Sequence, residues 1–194
     1  MSEVQDSTIV ILSEMRAFLN NIPDSDTDMD AILVDLLDAY NGKMENYLGV
    51  SMINSTYTES YDGDGTDCLF LNHYPIVSVT SLSIDGTALS VVEDADFYIY
   101  ADKGYIKLDD TTFTTTDYRN VDIVYVAGHG ADRDSIPYVL KNSLKTWVGR
   151  VFKAEVIDFS QRFDESSLAN IKSQMMPWDI KQDLDYYRCR HWGN

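Results

Sequence analysis

Apolar residues recur every three or four positions in the first part of the chain, which is the period of an α-helix. Over residues 8–19 they predict a short helix. Over about residues 27–48 they predict a long helix, which Asp26 or Asp28 can cap and Gly49 can end. The apolar stripe of this long helix comprises Ile32, Leu33, Leu36, Leu37, Tyr40, Met44, Tyr47 and Leu48.

After residue 49 the pattern changes to short runs of β-branched and aromatic residues, separated by Asp-Gly, Lys-Gly and Thr-rich turns. Such runs are typical of strands. The predicted strands are residues 51–61, 68–71, 77–84, 97–100, 105–108 and 121–126. Their spacing predicts an antiparallel sheet between helices, and we expect the Thr-rich stretch 111–116 to be an exposed loop.

A third helix is predicted to start at Pro137, behind a potential Ser135 cap, because proline is favoured in the first helical turn. Its apolar stripe comprises Val139, Leu140, Leu144, Trp147, Val148, Val151 and Phe152. We expect this stripe to pack on the helix at 27–48. Beyond residue 155 the pattern is less regular, which predicts an extended or partly disordered arm in the free protein.

Together these elements predict an α+β fold that is mainly α. The expected architecture is a helical bundle with an inserted small antiparallel β-sheet and an extended C-terminal arm. We divide the chain into an N-terminal helix and turn at 1–24, a core domain of helices and a central β-hairpin region at 25–155, and a C-terminal segment with a docking arm at 156–194.

The chain is strongly acidic, with 15 basic and 32 acidic residues and a formal net charge of −17. This charge argues against sequence-independent binding to the phosphates of nucleic acids. Residues 1–135 hold 6 basic and 25 acidic side chains, whereas residues 136–194 hold 9 and 7. The uneven distribution is compatible with two ends that meet different neighbours, and equally with a solvated acidic surface.

The two cysteines, Cys68 and Cys189, form no disulfide framework and no zinc-ligand spacing, which favours a reducing cytoplasm. The first residues lack the basic region of a signal peptide. No run approaches the roughly 18 apolar residues of a membrane span. We therefore expect a protein made in a cytoplasm, without a membrane partner.

The sequence DGDGTD at residues 62–67 resembles the first half of a calcium loop, because closely spaced carboxylates can converge on a hard cation. An EF-hand needs glycine at its sixth position and an acidic residue at its twelfth. This chain has Asp67 and His73 there. We interpret the segment as a tight turn, since Asp and Gly are favoured in turns.

No catalytic motif is present. His73, His129 and His191 lie in different segments without metal-ligand spacing, and there is no G-x-S-x-G elbow. We predict no catalytic residue, no metal site and no cofactor. A calcium- or zinc-dependent enzyme that uses Asp62, Asp64 and either His73 or His129 is kept as an alternative.

The C-terminal end combines the residue types that dominate protein interfaces. The cluster comprises Tyr186, Tyr187, Arg188, Arg190, His191 and Trp192. It is typical of a docking peptide, and the alternative is a tail that folds back on the protein's own core.

Four segments, taken in order, resemble the head–tail connector (adaptor) proteins of tailed bacteriophages. They are NYLG at 46–49, HYPIVSVTSLSIDG at 73–86, NVDIVYVAGHG at 120–130 and the Pro137 helix. The similarity spans about residues 25–155. The ending Tyr-Arg-Cys-Arg at 187–190 is also similar to the short basic and aromatic tail of these proteins.

The resemblance implies a structural virion protein without enzymatic activity, found in the virion neck and, during assembly, in the host cytoplasm. Such proteins form a ring, usually dodecameric, beneath the portal protein and link the DNA-filled head to the tail or stopper protein. Double-stranded DNA passes through the ring without specific binding. A stopper or tail-completion factor is an alternative within the same setting.

In this picture an arm from about Met176 to Trp192 reaches the portal and becomes ordered on binding. The residues expected to dock on the portal are Trp178, Leu184, Tyr186, Tyr187, Arg188, Arg190 and Trp192.

Overall fold

The chain forms two compact units. A computed structural model describes residues 3–20, 27–90, 96–115, 118–153 and 176–189. The first unit comprises Met1–Leu48 and Arg133–Arg188, and the second comprises Gly49–Asp132 and Cys189–Asn194. The predicted domain boundaries near residues 24 and 155 fall in ranges outside the described residues and stay predictions.

Helices build the first unit. They are α1 (Leu12–Leu19), α2 (Thr27–Leu48), α3 (Tyr138–Phe152) and α4 (Trp178–Asp185). Helix α1 is followed by Asn20 and α2 by Gly49, and both of these residues have the left-handed backbone that closes a helix. Helix α3 follows Pro137 and has no side-chain hydrogen bond at its cap, so the predicted Ser135 cap is wrong. No helix in the described ranges is both long and apolar enough to span a bilayer.

Helix α2 packs on α3, as the two apolar stripes predict. The rings of Tyr40 and Trp147 meet edge to face at 4.8 Å in this contact. The buried face of α2 is broader than the predicted stripe, since α2 also contacts α1. Val34 is buried, whereas Ile32 on α2 and Val139 on α3 are exposed.

The segment before α1 is buried without being helical, so the predicted helix at 8–19 begins four residues later, at Leu12. The Asn41 side chain on α2 accepts a hydrogen bond from the backbone N–H of Ile9 at 3.1 Å. The guanidinium of Arg133 donates to the carbonyl groups of Thr8 and Gln5, each at 2.7 Å. These bonds satisfy backbone groups that a helix would otherwise pair.

Two antiparallel sheets build the second unit. The larger sheet has the order β1-β7-β3-β4, from strands β1 (Ser55–Tyr61), β3 (Ile76–Ile84), β4 (Thr87–Ala88) and β7 (Val121–Ala127). The smaller has the order β2-β6-β5, from β2 (Cys68–Phe70), β5 (Phe97–Tyr100) and β6 (Tyr105–Leu108). A short 3-10 helix, Ala101–Lys103, joins β5 to β6. Both sheets alternate buried and exposed residues along most strands, which is the period-two pattern of a half-buried sheet.

The α+β class is confirmed, but the mainly α character is not. The expectation of one small sheet was wrong, since the second unit has two sheets. Strand β7 pairs with β1 on one side and with β3 on the other, and these strands are far apart in sequence. The composition of a short strand does not specify which strand it pairs with, so the division into two sheets was not visible in the pattern.

The Thr-rich stretch also differs from its prediction, because Phe113 is buried. Its backbone N–H donates to the carbonyl of Thr66 at 2.8 Å, and its carbonyl accepts from Gly65 at 2.7 Å. One aromatic side chain thus fixes a loop whose other residues are polar.

Candidate docking surface

The C-terminal segment forms a helix packed on the first unit. Helix α4 follows Pro177, and the N–H of Lys181 bonds the Pro177 carbonyl at 2.9 Å. Ile180 and Leu184 lie one turn apart and are buried, and α4 packs against α3. The expectation of an extended arm is therefore wrong for residues 178–185.

A surface ion pair adds to this packing at the start of α4. The guanidinium of Arg150 on α3 donates to both carboxylate oxygens of Asp179, with Nη1 to Oδ1 at 2.8 Å. These hydrogen bonds lower the pKa of Asp179 to about 2. Both side chains are half exposed, so the pair sets the orientation of the helix more than its stability.

At the other end of α4, Tyr47 of α2 holds the chain. Its hydroxyl donates a hydrogen bond to Asp185. The guanidinium of Arg188 lies over the Tyr47 ring, 4.8 Å from the ring centroid, in a cation–π contact. Burial and the hydrogen bond to Asp185 raise the pKa of Tyr47, so its hydroxyl stays protonated as a donor.

Cys189 is buried in the second unit, against the loop before β3. Its thiol donates to the backbone carbonyl of Tyr74 at 3.0 Å and accepts from the Tyr74 N–H at 3.3 Å. Burial raises the pKa of the thiol, which keeps it protonated. The cysteine in the Tyr-Arg-Cys-Arg ending thus anchors the chain at this position.

The loop that receives Cys189 is held by the carboxylate of Glu59 on β1. Its Oε2 accepts from the Tyr125 hydroxyl at 2.7 Å and also from the Tyr61 hydroxyl. Its Oε1 accepts from the Asn72 side chain at 3.1 Å and lies 3.2 Å from Nδ1 of His73. Two loop residues are therefore fixed by a single carboxylate.

The pKa of Glu59 reports how strongly this network favours the ionised carboxylate. Burial alone would raise it, but hydrogen bonds from His73, Tyr61 and Tyr125 outweigh that effect and lower the pKa to about 2. Burial and the same carboxylate raise the pKa values of both tyrosines. The His73 ring stacks on Tyr57 with centroids 3.8 Å apart, which completes the cluster.

The predicted docking residues fall into three groups. Trp178 and Tyr186 are 72% and 87% exposed, Arg188 is exposed, and Tyr187 is half-buried with its ring 5.1 Å from that of Tyr186. Leu184 faces the protein's own core. Arg190 and Trp192 lie outside the described residues. The role of all seven in portal docking stays a prediction.

Sequence reasoning missed two buried residues, Ile180 in the first unit and Cys189 in the second. A signal for the first was present, because Ile180 and Leu184 follow Pro177 at helical spacing. No comparable signal exists for Cys189, since its partner is the backbone of a residue 115 positions away.

The acidic turn that suggested a metal site serves the local backbone instead. Asp64 accepts hydrogen bonds from the N–H and the hydroxyl of Thr66, and Asp62 accepts from the N–H of Arg119 at 2.6 Å. Within the described ranges, no three His, Cys, Asp or Glu side chains are grouped so that they could hold a metal ion.

The fold resembles that of chains in solved virion structures. It is similar to a chain in the neck of an empty gene transfer agent particle computed with C6 symmetry (TM-score 0.66, 17% identity, covering 100% of this chain and 97% of that chain). It is also similar to a chain in the neck of the native particle computed with C12 symmetry (TM-score 0.63, 17% identity, 100% and 96% covered). A chain in the virion of the native gene transfer agent gives a TM-score of 0.60 at 18% identity, with 100% and 97% covered.

The family model for head completion proteins matches residues 8–189. The chain therefore belongs to the head completion protein family, and the predicted relationship to phage head–tail connector proteins is confirmed. No curated protein sequence matches it.

Replacing Leu184 by alanine tests whether α4 is part of the folded first unit. We expect a loss of about 2–4 kcal/mol in the free energy of unfolding, because the change leaves a cavity in a buried contact. Trp178→Ala on the same helix removes an exposed ring and should change it by less than about 0.5 kcal/mol. Urea unfolding followed by circular dichroism measures both, and equal effects of the two changes would contradict the packing described.

Replacing Glu59 by glutamine tests the carboxylate network. A carboxyl group whose pKa is lowered by folding stabilises the protein above its unfolded pKa, near 4.5, and this stabilisation is lost as pH falls towards about 2. We expect Glu59→Gln to cost about 1–2 kcal/mol at pH 7. The difference from the unmodified protein should shrink between pH 4.5 and 2.

Urea unfolding over this pH range provides the measurement. Glu3→Gln is the matched control, because Glu3 is exposed. A difference between Glu59→Gln and the unmodified protein that does not change with pH would show that the ionised carboxylate is unimportant.

Proposed function

We propose that this protein is the adaptor subunit that binds beneath the portal and links the DNA-filled head to the tail or stopper. The observation that carries the proposal is the end-to-end similarity to neck chains, which covers 100% of this chain and 97% of the neck chain. The match to the head completion family over residues 8–189 agrees with it.

In this proposal the functional form is a ring, with twelve copies as the expected number. The similar neck chains come from particles computed with C6 and C12 symmetry, which supports a ring of this kind. The net charge of −17 also suits a DNA conduit. Carboxylates that face a channel repel the phosphates, so the duplex passes without being bound.

The portal contact in this proposal is made by the exposed side of the C-terminal segment. Trp178, Tyr186 and Arg188 are the residue types that contribute most to interface energy, and all three are exposed. The packing of α4 on α3 already holds most of the backbone of this segment. Binding therefore orders fewer residues than an extended arm would, which lowers its entropic cost.

A reaction has no place in this function. The protein acts through shape complementarity and desolvated side chains, and its partners are further copies of itself, the portal protein and the next neck or tail protein. The neck is the expected location in the virion, and assembly occurs in the host cytoplasm.

Binding to purified portal rings tests the proposal. We expect the double variant Trp178→Ala/Tyr186→Ala to weaken binding at least about tenfold, since the removed rings lie in the proposed contact. Tyr138→Ala is the matched control, because Tyr138 is an exposed aromatic residue of the same unit, on α3. Surface plasmon resonance with immobilised portal rings gives the affinities.

Two outcomes count against parts of the proposal. Undiminished binding of the double variant would reject the docking residues. If the unmodified protein binds no portal ring but binds a ring formed by a separate adaptor protein, it is a stopper or tail-completion protein instead.

A further inference from the structure

The smaller sheet has two unlike sides. On one side the side chains of Leu69, Phe97, Ile106 and Leu108 are buried. On the other side lie Phe70, Tyr98, Tyr100 and Tyr105, which we name the aromatic face. Phe70, Tyr98 and Tyr100 are 47%, 39% and 38% exposed, so this aromatic surface is left in contact with water.

Three rings of the aromatic face, those of Phe70, Tyr105 and Tyr100, form a continuous row across the sheet. Strand register places Phe70 opposite Tyr105, and Tyr105 opposite Tyr100. Tyr100 and Tyr105 stack with centroids 4.4 Å apart, and Phe70 lies 5.3 Å from Tyr105. Rings held by cross-strand neighbours lose little conformational freedom on binding, which favours their use as an interface.

The turn beside this row is also fixed. Gly104 has a φ of +70°, and a β-carbon added there would lie 2.5 Å from the Tyr74 ring. The Gly104 carbonyl accepts a hydrogen bond from the N–H of Leu71 at 2.8 Å, which ties the turn to the end of β2. The aromatic face is therefore presented by a well-ordered edge of the second unit.

The charges near the aromatic face differ from those of the chain as a whole. Lys103 lies 5.9 Å from the Tyr100 ring centroid, and Lys107 follows Tyr105 on the same side of β6. They are two of only 6 basic residues in a stretch with 25 acidic ones. Asp67 neutralises part of this charge, since one of its oxygens lies 3.3 Å from Nζ of Lys107.

We infer that the aromatic face binds a neighbouring copy of this chain in the ring. The inference rests on the proposed function and assigns one of its contact surfaces. A ring formed by rotation needs two different surfaces on each copy, and one of them must receive the other. The aromatic face fits one of these surfaces, because it combines an ordered backbone with exposed rings that water solvates poorly.

Charge selects a second copy as the occupant. Each copy carries a formal charge of −17, so copies placed side by side repel each other unless the contact is locally less acidic. Lys103 and Lys107 balance Asp102 and Asp67, so the surface next to the rings is close to neutral. A second acidic copy can therefore approach this face without the repulsion that the rest of the surface exerts.

Ring completion on portal rings tests this inference. The double variant Phe70→Ser/Tyr100→Ser changes two exposed side chains, and circular dichroism must show that it remains folded. We expect the concentration needed for complete rings, counted by native mass spectrometry, to rise at least about tenfold. Lys103→Glu should raise it too, and more so at low salt. Tyr118→Ser is the matched control, because Tyr118 is 78% exposed in the same unit but outside the aromatic face.

Each outcome decides the question. Complete rings of the double variant at the unmodified protein's concentration would overturn the inference. Normal rings that fail to recruit the next neck protein would also overturn it, because the face would then serve another partner. If the unmodified protein binds no portal, the proposed function fails. In that case, sedimentation of the free protein at high concentration tests the aromatic face. Equal self-association of the unmodified protein and the double variant would reject the face as a contact between copies.

Discussion

The burial of Ile180 and Leu184 against α3 is the contact on which the account of this protein depends. Because of this contact, the C-terminal segment is a helix with a fixed outer surface. It is not an arm that must become ordered on binding. Because a helix places residues four apart on one side, burying this side leaves Trp178 and Tyr186 exposed. In the second unit, the Cys189 thiol forms two hydrogen bonds with the Tyr74 backbone.

In the second unit a charged side chain, Glu59, holds the loop before β3 alongside the buried apolar core. Glu59 is partly buried, and hydrogen bonds to its carboxylate outweigh the cost of removing it from water. The network fixes the loop that receives Cys189. The smaller sheet of the same unit displays the aromatic face on one side, while its other side is buried.

Helices α2 and α3 could be predicted closely from sequence, because they carry long apolar stripes with clear limits at Gly49 and Pro137. Helix α4 was missed, although Ile180 and Leu184 follow Pro177 at helical spacing. Most strand positions could be predicted as well. Their pairing could not, since the partners of β7 are set by packing across long sequence separations. The anchoring role of Cys189 and the Glu59 network depend on single tertiary contacts, which leave no pattern in the local sequence.

An electron cryomicroscopy reconstruction of the protein bound to its portal ring, at side-chain resolution, tests the central claim most directly. The account predicts that Trp178 and Tyr186 are covered by the portal while Leu184 stays on α3. A reconstruction in which α4 leaves α3, or in which the portal contacts another surface and both rings remain in water, would contradict it.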